Sequence, residues 1–201
     1  MEKVLAVDID NILTNTTECV LQYINERIPG LNLKMEDIKE YWMENQLPIE
    51  YRWIVEMAFA DKAMWKKVKM IEGAVEVLQK LYEDGWVIYF ATATTAENFK
   101  KKIGFLTRNL PFLPEGYIKQ HAISIKYKQL LNVDIMIDDY LANLINPRPY
   151  YSICLDYAWN REEAMSKYTE EELDGIYFAF SWNDIYTLVK RIENFERSNK
   201  K

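Results

Sequence analysis

One histidine and two cysteines are all the nitrogen and thiolate side chains that this chain of 201 residues offers to a zinc ion. His121, Cys19 and Cys154 lie apart in sequence, so they make neither a zinc site nor a disulfide framework, and the two thiols fit a reducing compartment. A Ser-His-Asp triad is excluded unless His121 serves it. Long apolar runs are also missing, since no segment approaches the ~20 residues of a membrane span. The opening MEKVLAVDID reaches acid after four apolar residues, which is no signal peptide. There is no internal repeat, no low-complexity tract and no flexible linker. The expectation is a cytoplasmic protein whose chemistry comes from carboxylates, hydroxyls and lysines.

What is present is a globular composition, 49% hydrophobic and 28% charged. The 25 basic and 31 acidic residues leave a net charge of -6, which argues against a nucleic-acid polymer or a membrane surface as partner. A small anion stays compatible with that sign, because a metal and local lysines outweigh it at short range. The oligomeric state is left open, a homodimer included.

Short apolar runs alternate with helical patterns. Lys3–Val7 reads as a strand ending in acid, and a helix capped by Thr16 or Thr17 runs to about Ile28 before Pro29-Gly30. Residues 31–69 read as helical and aromatic, with Pro48 separating two helices. Residues 73–84 repeat apolar side chains at helical spacing, and Gly85 stands where a C-terminal cap belongs. Trp86–Ala91 is a strand buried on both faces, followed by a helix over 96–109. Weaker strand character covers 117–125, and firmer strands cover 134–137 and 151–155. A last helix spans Trp182–Phe195, and the tail 197–201 is expected to fray. The pattern predicts an α/β fold, a Rossmann-like three-layer parallel sheet. Its core would take residues 1–14 and 73–201, and 15–72 would form a small helical cap inserted after the first strand.

In such sheets ligands bind beyond the carboxyl ends of the strands. There the chain places Asp8 and Asp10 after the first strand, Thr92 with Thr94 and Thr95 after the second, and Asp138 and Asp139 after a later one. Lys128 enters the strand that ends at Asp138. Carboxylates gathered at one edge repel one another unless a cation neutralises them, and oxygen-only ligands favour Mg²⁺. Each motif alone has a plain reading: a polar strand end, a helix cap, a surface lysine. Their order and shared placement make the case.

The ordered set Asp8-x-Asp10, Thr92, Lys128 and Asp138-Asp139 resembles the four motifs of haloacid dehalogenase-like phosphatases. The stretches 71–74, 128–139, 157–161 and 181–184 are similar to the 5'(3')-deoxyribonucleotidase-like branch. The resemblance implies a phosphomonoester hydrolase. In it Asp8 is the nucleophile, Asp10 the acid and base, Thr92 a phosphoryl contact, and Lys128 a charge-neutralising cation that restrains Asp8. Mg²⁺ would be held by Asp8, the Asp10 carbonyl and Asp138, with Asp139 in support. Position 11 is Asn where glycine is common, and the stretch after Thr92 lacks the usual Arg or Pro. The substrate expected is a small phosphorylated metabolite, most naturally a nucleotide. The alternatives are a phosphatase of a sugar phosphate and a catalytically silent Mg²⁺-binding domain. Thr94, Trp42, Trp53 and Trp65 are candidate substrate contacts, although the aromatics of 41–65 more readily form a small core of their own.

Overall fold

The computed structural model describes residues 2–145 and 151–199. Its frame is one sheet of six parallel strands: β1 (Lys3–Asp8), β2 (Trp86–Thr92), β3 (Ala122–Ser124), β4 (Ile135–Asp138), β5 (Tyr151–Leu155) and β6 (Ile176–Ala179), in the spatial order β3-β2-β1-β4-β5-β6. The helices, in chain order, are α1 (Thr16–Arg27), α2 (Trp53–Ala60), α3 (Lys62–Trp65), α4 (Ala74–Glu83), α5 (Ala96–Asn109), α6 (Tyr117–His121), α7 (Leu141–Leu144), α8 (Ala158–Lys167), α9 (Glu170–Leu173) and α10 (Trp182–Asn199).

The central stretches of β1, β2 and β4 are apolar because both faces are covered. Leu5, Val7, Ile135, Ile137 and Ile153 point to one face, where they meet Leu78 of α4 and Val189 of α10. Ala6, Met136 and Cys154 point to the other, against Leu141 and Leu144 of α7. This is the period-2 alternation of a strand, with both sets buried. Burying a Leu or Ile of this kind contributes roughly 1.5–3 kcal/mol. No helix among the described residues is long and apolar enough to cross a membrane.

Several elements differ from the sequence reading. Residues 117–121 are helix α6, and only Ala122–Ser124 form a strand; the Tyr117 hydroxyl oxygen accepts Ile88 N–H at 2.9 Å, which ties the helix to β2. The stretch 31–69 holds three 3-10 turns and the short α2 and α3 instead of two helices. Asn15, not Thr16 or Thr17, precedes α1, and its side chain accepts from Lys69 N–H (2.8 Å) instead of capping the helix. Strand β6, at the sheet's far edge, and helix α8 were not anticipated from the sequence. Helix α10 continues to Asn199, past the expected end, and the last two residues of the tail lie outside the described residues.

The chain leaves β1 through a tight loop and returns beside it. Leu13 C=O accepts Ile71 N–H (2.9 Å) and Lys69 C=O accepts Asn15 N–H (3.1 Å). Residues 15–72 therefore depart from and rejoin the sheet through a paired two-stranded neck.

Candidate active site

Strands β1, β2 and β4 end level with one another, since Asp8 pairs in register with Ala91 and Val7 with Ile137. Their ends bring Asp8, Asp10, Thr92, Lys128, Asp138 and Asp139 to one place. Asp8 closes β1 and is buried. The loop after it is shaped by Ile9, whose carbonyl accepts Leu13 N–H (3.0 Å), Thr14 N–H (3.0 Å) and Thr14 Oγ1–H (2.9 Å). Asn11 sits at φ +57°, the left-handed region that glycine or asparagine tolerates best, which accounts for Asn at a position where glycine is common. Its amide nitrogen donates to Asp139 Oδ2 (3.0 Å), and its Oδ1 accepts Thr17 N–H (3.0 Å) at the start of α1.

Lys128 lies in a single 3-10 turn between β3 and β4 and is buried. Its ammonium donates to Asp8 Oδ1 and, at 2.6 Å, to Asp138 Oδ2. Asp138 also accepts Tyr140 N–H (2.9 Å) and the Asn143 amide (3.1 Å). The first of these closes a local turn, and Tyr140 stands at the N-cap of α7 with no side-chain cap, so neither acid is the helix cap that the plain reading offered; the second ties the carboxylate to α7. Oxygen atoms of Asp8, Asp138 and Asp139 lie within 4.8 Å of one another.

Asp10 is set apart from these three. Thr16 Oγ1 donates to its Oδ1 (2.9 Å), and Lys102 donates to its Oδ2. The Asp10 side chain keeps 24% of its surface open, whereas that of Asp8 keeps 6%. Thr92 is buried and accepts from Lys102 Nζ at 2.7 Å. Thr94 is half-buried two residues on, its carbonyl taken by Ser124 Oγ–H (3.0 Å).

Burial pushes the Asp8 carboxyl up to about 7, helped by Asp138 and Asp10 and opposed by Lys128 and Lys102. Burial and the neighbouring Asp138 and Asp8 likewise raise Asp139 far above the ordinary carboxylate range. For Lys128, burial works against the charge, but the attraction of Asp138 and Asp8 prevails and holds the ammonium protonated. With all four carboxylates ionised they would exceed the two ammoniums of Lys102 and Lys128 by two charges, and without a cation the raised Asp8 and Asp139 relieve that excess by taking up protons. The donor set is oxygen alone. Both facts fit a hard divalent cation, which Asp8, Asp138 and Asp139 could hold.

The candidate aromatics are less uniform. Trp42 is 54% exposed and lies edge-on to Tyr140, 6.3 Å between ring centres, immediately beyond the Asp138-Asp139 pair. Trp53 is 55% exposed and donates its indole N–H to Glu50 C=O (2.6 Å). Trp65 donates to Phe59 C=O (2.7 Å) and tilts against that ring at 6.5 Å. A small aromatic pair thus exists in Phe59 and Trp65, while Trp42 packs edge-on to Tyr41 and Tyr140.

Sequence reasoning passed over Lys102 and Tyr41. Lys102 occupies the buried face of α5 with Phe105 and Leu106, and a lysine in an apolar helical stripe was the available signal. Tyr41 stacks on Tyr140 at 3.8 Å, and burial together with Asp139, Asp8, Asp138 and Asp10 drives its hydroxyl well above the ordinary phenol range. That field places Tyr41 beside the acids, a position no periodicity encodes.

A six-stranded parallel sheet with this ordered set of acids, threonine and lysine at its carboxyl edge defines a haloacid dehalogenase-like phosphatase. Solved structures share the fold. A haloacid dehalogenase-like protein of Agrobacterium tumefaciens superposes with a TM-score of 0.63 at 11% identity, covering 96% of this chain and 100% of that one. A haloacid dehalogenase family hydrolase of Deinococcus radiodurans, solved with bound phosphate and sodium, gives 0.60 at 16% identity, covering 96% of each. The 5'(3')-deoxyribonucleotidase of Bacillus subtilis is 29% identical over 149 residues, 72% of this chain and 80% of the relative. The family model for 5' nucleotidase, deoxy (pyrimidine), cytosolic type C proteins matches residues 2–195, and the chain belongs to that family.

Proposed function

We propose that this chain is a Mg²⁺-dependent hydrolase of 5'-nucleotides, preferentially deoxyribonucleotides, that acts in the cytoplasm through an aspartyl phosphate on Asp8. The observation that carries the reading is the unlike setting of two aspartates at one sheet edge. Asp8 is enclosed and paired to Lys128, which suits a fixed nucleophile, and Asp10 is open on one side, which suits proton exchange with a leaving group and with water. The name of the Bacillus subtilis relative supports the choice of substrate.

In this reading Asp8 Oδ attacks phosphorus as the ester O–P bond breaks, and Asp10 gives its proton to the departing oxygen. Asp10 then takes a proton from the water that hydrolyses the aspartyl phosphate. Lys128 and the hydroxyls of Thr92 and Thr94 bind the phosphoryl oxygens. Mg²⁺ would be held by Asp8, Asp138 and the Asp10 carbonyl, with Asp139 in support. When bound, it supplies the positive charge that keeps Asp8 ionised and offsets charge on the phosphoryl group. Residues 15–72 act as a cap that excludes water, with Trp42 as a base contact and Trp53 and Trp65 further along its wall.

Phosphate release from deoxynucleotides, ribonucleotides and sugar phosphates, with Mg²⁺, tests the reading. Asp8→Asn should keep its fold and lose activity by on the order of 10⁴-fold or more. A preference for sugar phosphates would overturn the substrate, and wild type no faster than Asp8→Asn on every compound would overturn the reaction.

A further inference from the structure

Helix α5 drives an ammonium into the core. Lys102 is 2% exposed, on the face that also buries Phe105 and Leu106. An unpaired ammonium there would cost several kcal/mol, so its partners decide what it does. They are Asp10 Oδ2 and Thr92 Oγ1, the latter at 2.7 Å. Neither partner belongs to the pair that Lys128 holds, Asp8 and Asp138. The two lysines thus divide the site, one serving the attacking oxygen and the other the groups opposite it.

Counting donors sharpens this. The Asp10 carboxylate is fixed at both ends, Oδ1 by the Thr16 hydroxyl (2.9 Å) and Oδ2 by Lys102. Both rotation about its side-chain bonds and tilt of its plane are thereby restrained. Thr92 Oγ1 already accepts from Lys102, so its one hydrogen must point elsewhere. It is donated to Asp10 Oδ2 at 3.5 Å, a long bond that an incoming phosphoryl oxygen can displace. Lys102 reaches both groups from α5, which Thr95 starts by accepting Asn98 N–H (3.4 Å) only three residues after Thr92.

We propose that Lys102 is a positioning residue for leaving-group departure, holding Asp10 in line with the ester oxygen and turning the Thr92 hydroxyl toward the phosphoryl group. The inference rests on the reading of Asp10 as the acid. Its proton goes to the ester oxygen as the O–P bond breaks and the Asp8–P bond forms. A misplaced Asp10 therefore harms substrates whose leaving oxygen needs that proton and spares those whose leaving group departs as a stable anion.

The experiment compares kcat/KM, which reports the steps through leaving-group departure, for a deoxynucleoside 5'-monophosphate and for p-nitrophenyl phosphate. Wild type, Lys102→Met, Lys102→Arg and Asp10→Asn are measured side by side with Mg²⁺, after circular dichroism shows each to be folded. Lys102→Met keeps the buried stem, and Lys102→Gln replaces it in the assay if the Met variant does not fold. The expected result is a loss about 10- to 100-fold greater on the nucleotide than on p-nitrophenyl phosphate, the size that misplacement of a reacting group by about 1 Å produces. Lys102→Arg should recover part of it. A residue that only supports the fold would lower both substrates alike. Equal losses in the Lys102 variant, with the contrast present in Asp10→Asn, overturn the inference alone. No contrast in Asp10→Asn overturns the acid reading and the inference with it.

Discussion

Stripped of divalent cations by a chelator, the protein should become more stable as pH falls from about 7 to about 5, opposite to the usual course of acid destabilisation. The cause is Asp8, a carboxyl raised from 3.8 to about 7 by burial at the end of β1. An acid whose folded value lies above its unfolded one binds its proton more tightly in the folded state. Its ionisation therefore removes stability as pH climbs from the unfolded value to the folded one. The full gap corresponds to about 4 kcal/mol, and the stretch between about pH 5 and pH 7 to about 2 kcal/mol. Asp139, raised in the same direction, adds to the slope. Glu193, lowered by its bonds to Lys190 and Lys3 against the pull of burial, acts oppositely, but only below its ordinary 4.5 and so outside this window. The assay is urea unfolding with chelator at several pH values, for wild type and Asp8→Asn. The difference between the two isolates the Asp8 contribution. Adding Mg²⁺ at about 100 times its dissociation constant should restore about 2.7 kcal/mol near neutrality. A wild-type profile that rises with pH in chelator, or an Asp8→Asn profile as steep as wild type, would refute the reasoning.

Two backbone positions make further predictions. Gly73→Ala should lower stability by about 1–3 kcal/mol, because φ there is +78° and a Cβ would stand 3.3 Å from Trp182 Cβ; an unchanged melting temperature would contradict the geometry. At Asn11, φ +57°, both Ala and Gly delete the bonds to Asp139 and Thr17, but only Ala retains the strain. Asn11→Ala should therefore be about 1 kcal/mol less stable than Asn11→Gly by chemical denaturation, and the reverse order would show that the loop does not hold this conformation.

The acids of the site were legible because each follows an apolar run, and the sheet geometry that gathers them is a general property of parallel strands. Asp8, Thr92 and Asp138 needed only that rule. Lys102 was hidden because its partners lie 92 and 10 residues away, and a lysine ten residues past Thr92 reads as one of three in Lys100–Lys102. Only the rotation of α5 selects which of the three turns inward. Tyr41 was hidden for a similar reason, since its stacking on Tyr140 crosses the whole molecule in sequence. The weak strand reading over 117–125 failed where local propensity met a tertiary demand, the Tyr117 hydroxyl turned toward Ile88. Strand β6 carries a short apolar run, Ile176–Ala179, that the sequence reading passed over; it is mostly half-buried at the sheet's edge.

The paired neck has a consequence for how such a protein can vary. Because Leu13 bonds Ile71 and Asn15 bonds Lys69, the sheet meets residues 15–72 as it would meet a hairpin, with the ends already joined. Closing a loop costs only about 0.6 kcal/mol more for each doubling of its length. Lengthening or shortening the segment far from the neck thus leaves the acids almost untouched in energy. Residues 15–72 can therefore change in length while the strand ends that carry the acids keep their places.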